Sequence, residues 1–315
     1  MSAPAPAPAR AARGAPIDPQ VLMHIRDLEF RARVVVEGFW SGLHRSPYHG
    51  FSVEFTEYRQ YSPGDDPRYL DWRVFARSDR YFLKRFEDET NLRCHLVADQ
   101  SRSMTFHSLG YSKAEYAATL AATLASFLHL QGDAVGLLTF DEQVRAFLPA
   151  RHRVGQVRRL MLSLEEPAGG HGTDLVTPLQ RVVEIVRRRG LILLLSDFLA
   201  PLDRLEHALL QLGACGHDVV LFQILDPAEL TFSFHEPAMF EDVESGRLLL
   251  VDPGAVRGEY RKKLEGHCVA LRETCHRLGH DYVRLTPDQP LEFALFDFLR
   301  VRSHRGRRVR RSLQP

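Results

Sequence analysis

The chain has 315 residues, of which 44% are apolar and 26% charged, and its net charge is +1. Those proportions belong to an ordinary folded protein and exclude a collagen-like, low-complexity or disulfide-framework chain. The purest apolar run, Leu191 to Leu195, falls far short of the roughly 18 residues of a membrane-spanning helix.

The first residues, rich in Ala and Pro, have no apolar core of the secretory type, so export is not expected. Four cysteines at 94, 215, 268 and 275 form no Cys-x-x-Cys pair, and a reduced, cytoplasmic protein is the simplest expectation. The net charge conceals an asymmetry. Setting aside seven tail arginines (Arg300, Arg302, Arg305, Arg307, Arg308, Arg310 and Arg311) leaves 34 of the 41 basic residues against 40 acidic ones. The body is thus near −6 and the tail strongly basic.

Taken in order, residues 1–16 are Ala/Pro/Arg-rich and are expected to be disordered. Val21, Ile25, Leu28, Ala32 and Val35 keep helical spacing, predicting a helix to about Glu37 that Gly38 and Gly42 break. Phe51, Val53 and Phe55 alternate with polar residues, as in a half-buried strand, and Tyr81 to Phe86 reads as another. Residues 17–90 are therefore expected to form an N-terminal helix with a small β extension, too small to bury a core of its own.

From Asn91 strands and helices alternate. Ser112-Lys-Ala-Glu115 is a capping box opening a helix that Gly132 stops. Strands are predicted at Ala134–Phe140 and Val144–Leu148, and a helix from about Val154 to Leu164. The Gly-rich loop Ala168–Asp174 leads to a helix through Leu179, Val182 and Val186 that Gly190 ends. Leu191–Leu195 reads as a fully buried strand, followed by a helix (Leu202 to Leu212) and a strand (Asp218 to Leu225). Residues 226–252 interrupt the rhythm, and Ser245-Gly246 between two short runs predicts a hairpin insertion. A helix from about Val256 to Leu278, a strand at Tyr282–Leu285 and a helix over Leu291–Leu299 close the domain. The alternation predicts an α/β domain over 91–300 with a doubly wound, mostly parallel sheet, and residues 301–315 as a disordered basic tail.

The chemistry gathers at Asp99-Gln-Ser101-Arg-Ser103. It follows an apolar run that reads as a buried strand, and ligands collect beyond the carboxyl ends of parallel strands. Ser196-Asp197 and the loop bearing Thr173 fall at strand ends in the same way, so Asp99 and Asp197 are expected to face each other across the switch-point crevice. Two carboxylates and three hydroxyls are hard oxygen donors, suited to Mg²⁺ rather than zinc or copper. Such a set leaves coordination positions for water and an outside oxygen, which a partner's Asp or Glu could fill. Asp174 and Ser196 read as turn or cap residues beside the set. Loop capping by Asp99, Ser101 and Ser103 is the competing reading of those three alone.

These five positions, Asp99, Ser101, Ser103, Thr173 and Asp197, resemble in order the metal-ion-dependent adhesion site of von Willebrand factor type A domains. The run Tyr61-Ser-Pro-Gly-Asp-Asp-Pro-Arg-Tyr-Leu-Asp-Trp-Arg, with Arg85-Phe-Glu-Asp-Glu beyond it, resembles the signature of a bacterial family catalogued as a domain of unknown function, number fifty-eight. The resemblances cover roughly residues 50 to 300. They imply a magnesium-dependent interaction module rather than an enzyme, encoded in relatives beside MoxR-type AAA+ ATPases that act in assembly or metal insertion of other proteins. Some relatives carry N-terminal membrane helices; none is expected here, and membrane attachment is not carried over.

Within the signature, Tyr61, Gly64, Asp65, Asp66, Arg68, Asp71, Trp72 and Arg73 read equally as a tight turn with surface ion pairs or as a partner-docking surface, since Tyr, Trp and Arg are enriched at interfaces. His171 reads as a solvated loop histidine, and His235, Glu236, Glu241 and Asp242 as a solvated hairpin face. Cys268 and Cys275 fall on an apolar helical stripe, while Cys94 and Cys215 lie in or near core elements. Nucleic-acid binding by the arginine tail is not expected, because no aromatic interleaving or recognition motif accompanies it. The alternative function is a metal-dependent hydrolase of phosphate esters. Phosphatases of the haloacid-dehalogenase type need a second Asp two residues after the first, and Ser101 stands there.

Overall fold

A computed structural model describes residues 16–43, 58–60, 82–84, 92–169, 175–241 and 246–300. The chain divides into two units, Leu43–Asn91 and the remainder. The basic tail, most of the N-terminal Ala/Pro segment, the strand expected at Phe51–Phe55 and the run from Tyr61 to Arg73 lie outside the described residues.

In the larger unit, helix α1 (Pro19–Met23) starts on Asp18, whose carboxylate accepts from the Gln20 amide at 2.9 Å. Helix α2 (Leu28–Leu43) follows. The spacing predicts one helix ending at Glu37; the structure has two. Asp27 accounts for the break, since its carboxylate accepts from the Phe30 amide at 2.7 Å and restarts the helix. Gly38 does not stop α2. A Cβ there would lie 3.1 Å from Ile17 Cδ1 and 3.4 Å from Glu292 Oε1. Close packing retains a glycine whose helical propensity costs about 1 kcal/mol relative to alanine. Both helices belong with the α/β unit, so the segment expected over 17–90 is divided. In the smaller unit, β1 (Tyr58–Gln60) pairs antiparallel with β2 (Phe82–Lys84), Arg59 opposite Leu83.

The α/β unit continues with β3 (Arg93–Asp99), a 3₁₀ turn at Arg102–Thr105, α3 (Lys113–Leu130), β4 (Ala134–Phe140), β5 (Val144–Arg151) and α4 (Gln156–Leu164). Then come α5 (Val176–Ile185), β6 (Leu191–Ser196), α6 (Leu202–Ala214), β7 (Asp218–Ile224) and α7 (Pro227–Thr231). The hairpin β8 (Ala238–Glu241) and β9 (Leu248–Val251), α8 (Pro253–Arg277), β10 (Asp281–Leu285) and a helix over residues 291–300, α9, complete it.

Six strands form one sheet in the order β10-β7-β6-β3-β4-β5, parallel except for β5, which runs antiparallel to β4. This is the doubly wound α/β fold, with the strand order reversing between β3 and β6, where a crevice is expected. The six residues of β6, Leu-Ile-Leu-Leu-Leu-Ser, are all buried, as a strand covered on both faces requires. On one face Val97, Leu138, Leu194 and Leu221 meet Leu179 of α5, Leu209 of α6 and Leu271 of α8. In the helical layer containing α3, the Phe127 ring lies 5.7 Å from Phe39 of α2, which in turn lies 4.7 Å from Phe296 of α9. Gly190 serves the sheet rather than ending α5, which stops at Ile185. A Cβ at Gly190 would sit 2.4 Å from the Arg93 carbonyl oxygen.

Residues 226–252 hold a capped short helix, α7, as well as the hairpin, in which Met239 faces Leu250. Cys94, Cys268 and Cys275 are buried, whereas Cys215 is exposed at the end of α6. Among the described residues no helix is long and apolar enough to cross a membrane.

Candidate functional site at the β3/β6 edge

The register of the two central strands sets the site. Ala98 pairs with Leu195, so the next residues, Asp99 and Ser196, stand side by side at the carboxyl edge. The Ser196 hydroxyl donates to Asp99 Oδ2 at 2.6 Å, and the Ser101 amide donates to Asp99 Oδ1 at 2.8 Å. The Ser101 and Ser103 hydroxyl oxygens are 3.1 Å apart, and the Ser103 hydroxyl hydrogen-bonds the Asp197 carboxylate. Asp99, Ser101, Ser103 and Asp197 therefore form one connected group. Ser101, Asp99 and Asp197 are almost wholly removed from solvent. Thr173, Asp174 and His171 lie outside the described residues, as do the eight signature positions from Tyr61 to Arg73.

Asp197 is gripped along its main chain as well. Its carbonyl accepts from Gln223 Nε2 of β7 at 2.8 Å, and the Tyr282 hydroxyl of β10 donates to Gln223 Oε1. The following residue, Phe198, is buried with φ at 53°. A bulky side chain rarely takes this left-handed backbone, which costs on the order of 1–3 kcal/mol and persists where its surroundings enforce it. Here the Phe198 amide donates to Ser196 Oγ at 3.1 Å, and its carbonyl lies 2.8 Å from His267 Nε2.

Two further residues of the cluster escape the sequence reading. Lys113, the first residue of α3, is fully buried, with its Nζ 2.9 Å from Asp197 Oδ2 and 2.7 Å from Glu229 Oε1. A lysine in the first turn opposes the helix dipole, and that misfit is the only local signal of a special role. Glu229 lies in a second capping box, Asp226-Pro-Ala-Glu229, where its carboxylate also accepts from the Asp226 amide at 2.7 Å. Asp226 in turn accepts from the Ser108 amide at 2.9 Å, tying α7 to the loop beyond Ser103.

The charges divide unevenly. Burial alone would lower the Lys113 pKa, but Asp197 and Glu229 hold it above its usual range. Burial would raise Asp197, yet Lys113 and the Ser103 hydroxyl keep it below the ordinary carboxylate range. For Glu229 burial outweighs Lys113, and its pKa is raised. Among the described residues no cation is paired with Asp99. Burial first, then the charge of Asp197, push it up to about 6.

Among the described residues no group of three or more His, Cys, Asp or Glu side chains is placed to cage a metal. The donor set here is of another type, two carboxylates with serine hydroxyls. Among the described residues Asp99, Asp197 and Glu229 gather about the one ammonium of Lys113, an excess of two negative charges when all three are ionised. Each oxygen of Asp99 and Asp197 has a hydrogen-bond donor or ammonium partner, yet a carboxylate oxygen has a second lone pair. The residues therefore fit a small divalent cation in charge and in hardness.

A family model described as "Protein of unknown function DUF58" matches residues 57–269, more than half of the chain. The chain belongs to the DUF58 family. It is 28% identical over 283 residues to the uncharacterized protein Rv1480 of Mycobacterium tuberculosis, covering 88% of both chains. Among solved structures it is similar to the conserved hypothetical protein BatB from Bacteroides thetaiotaomicron, with 16% identity, 67% of this chain and 99% of that one covered, and a TM-score of 0.45. It is also similar to the SpRpn10 VWA domain, with 12% identity, 65% and 94% covered, and a TM-score of 0.37. At scores below 0.5 these are likenesses alone, and the fold rests on the strand order and register.

Proposed function

We propose that this DUF58 protein is a cytoplasmic, non-enzymatic interaction module that holds Mg²⁺ through Asp99, Ser101, Ser103, Thr173 and Asp197. The observation that carries the reading is the connected group of Asp99, Ser101, Ser103 and Asp197 at the reversal of strand order, whose two carboxylates, joined by Glu229, outnumber the one ammonium of Lys113. Bound there, the ion would supply a Lewis-acidic position for a carboxylate oxygen of a partner protein. The chain's own residues do the rest. Ser196 and the Ser101 amide orient Asp99; Gln223 and Lys113 orient Asp197; burial keeps water from competing for either acid. The partner in this reading is a MoxR-type AAA+ ATPase or a protein that such an ATPase helps to assemble.

The test has two parts. Isothermal titration of the purified chain with Mg²⁺ should give one saturable site, absent in Asp99→Ala and Asp197→Ala. Affinity for a purified MoxR-type ATPase should then fall at least tenfold in chelator. Equal affinity with and without Mg²⁺ would remove the mechanism. Turnover of a generic phosphate ester, lost in Asp99→Asn, would install the hydrolase instead.

A further inference from the structure

The hairpin of β8 and β9 is a sheet of its own, and neither strand has a further neighbour among the described residues. Strand β9, Leu248-Leu-Leu-Val251, carries no charge, proline or bulge, the features with which folded chains blunt an open edge. Leu248, Leu249 and Leu250 are 62%, 66% and 69% exposed, and Met239 across the hairpin is 56% exposed. Side chains alternate faces along a strand, so exposure at three successive positions leaves β9 open on both faces. Phe240, opposite Leu249, anchors β8 to the body of the protein: its ring stacks on Phe232 at 5.8 Å and lies 5.1 Å from Phe234.

A pair of strands is marginal by itself, and further strands sharing an apolar face make a sheet stable. The charges that flank β9 decide what adds them. Arg247 precedes the apolar run and Asp252 follows it, both exposed. A strand with a cation before it and an anion after it is complementary to its own reverse. A second β9 laid antiparallel therefore brings each Arg247 toward the Asp252 of the other copy. Two-fold pairing sets one residue opposite itself, and two registers centre on the strand. Centred on Leu250, Leu248 would meet the charged Asp252. Centred on Leu249, Leu248 meets Leu250 in both directions, and every leucine lies on a leucine. Met239, Leu248 and Leu250 share one face of the hairpin, and the two copies join these faces into one.

We infer that the β8–β9 hairpin is a self-association surface, on which β9 of a second copy pairs antiparallel about Leu249 to form a four-stranded sheet. The same patch serves both copies, so the contact closes as a dimer and does not propagate into a fibre. A strand of 4 residues covers less than the roughly 1,600 Å² of a stable standard interface. The dimer is accordingly weak and forms in the micromolar range or above. The inference requires no metal ion.

The experiment is sedimentation velocity of the full chain in chelator, over a series of concentrations through the micromolar range. Wild type, Leu249→Lys, Leu249→Glu and an equimolar mixture of the two variants are compared. The expected result is a monomer–dimer equilibrium for the wild type. Each variant alone should dimerise at least tenfold more weakly, because like charges then stand opposite each other on the two-fold axis. The mixture should recover the dimer, since a cation there faces an anion. Position 249 is exposed, so both variants should keep the fold, which circular dichroism checks. Leu250→Ser, off the axis and uncharged, is the second variant and should also weaken the dimer. A wild type that stays monomeric throughout, a dimer that survives both charged variants, or a mixture no stronger than either variant would each overturn the inference. A monomer that instead sediments with phosphatidylcholine–phosphatidylglycerol vesicles would overturn it too and assign the leucines to lipid. Because chelator is present throughout, its failure leaves the magnesium reading standing, and loss of the magnesium reading leaves this one untouched.

Discussion

Acidification should destabilise this protein through one residue away from the strand-end site, His95. It lies in the middle of β3 and is 6% exposed, stacked at 6.3 Å on Phe147, with its Nδ1 lacking a partner among the described residues. Burial first, then the neighbouring His217 and Arg93, push its pKa down from 6.5 to about 4. The folded value is the lower one, so the native state prefers the neutral ring. The stability this contributes is complete above pH 6.5 and is lost as the pH falls toward 4. The separation of the two values caps the loss at roughly 3 kcal/mol. At about pH 5 the unfolded ring is charged and the folded one is still neutral, so about 2 kcal/mol has gone relative to neutral pH. Urea denaturation at a series of pH values measures this directly, with His95→Phe as the reference, because phenylalanine keeps the stack and does not titrate. The stability difference between the wild-type chain and the variant should shift by about 2 kcal/mol from neutral pH to about pH 5, against the wild type. Parallel curves for the two proteins would refute the reasoning.

Replacing Lys113 with Met leaves Asp197 and Glu229 without their shared cation; a loss of about 3–5 kcal/mol is expected for a broken buried pair. Adding Glu229→Gln to that variant should recover part of it, as chemical denaturation in chelator would register. Gly190→Ala forces a Cβ to within 2.4 Å of the Arg93 carbonyl and should cost about 1–3 kcal/mol by overpacking, read as a lower thermal midpoint. Mg²⁺ at a hundredfold excess over its dissociation constant should stabilise the chain by about 2.7 kcal/mol. Asp197→Ala should abolish that gain in a thermal-shift measurement, and equal gains in both proteins would contradict the assigned ligands.

The fold was legible because its signals are local. The unbroken apolar runs at Leu96–Ala98 and Leu191–Leu195 predict strands buried on both faces, and Ser112 with Glu115 predicts the start of α3, where the reciprocal cap forms. Asp99 and Asp197 could be placed on one edge because strand ends in a doubly wound sheet share it. Three things were not legible. The break before α2 depends on Asp27 capping onto Phe30, and helical spacing ran straight across it. Gly38 and Gly190 looked like breakers, although each serves a close approach made by residues distant in sequence. Lys113 was read only as a member of the Ser112–Glu115 capping box. Its partners lie 84 and 116 residues away, and nothing in the spacing of Lys113 announces them.

That lysine bears on how the candidate site is held. A buried ammonium on Asp197 and a metal ion both need the same acid, which sets competition against support. The geometry argues for support instead. Lys113 Nζ contacts Asp197 Oδ2, the Leu199 amide contacts Oδ1 at 3.3 Å, and the Ser103 hydroxyl takes a third position on the carboxylate; two oxygens with two lone pairs each leave a fourth position. Glu229 shares the ammonium at the shorter distance, 2.7 Å against 2.9 Å, so Lys113 is anchored outside the serine cluster and its charge is partly neutralised there. Removing one member of such a network leaves an uncompensated buried charge, which costs more than the intact network contributes. Asp197 is therefore fixed before any ligand arrives, from β7 through Gln223, from α3 through Lys113 and from the strained Phe198 turn, whereas Asp99 is held by serine and backbone donors alone. The two acids face each other with opposite pKa displacements, and the one without a cation is the one that a divalent ion would relieve.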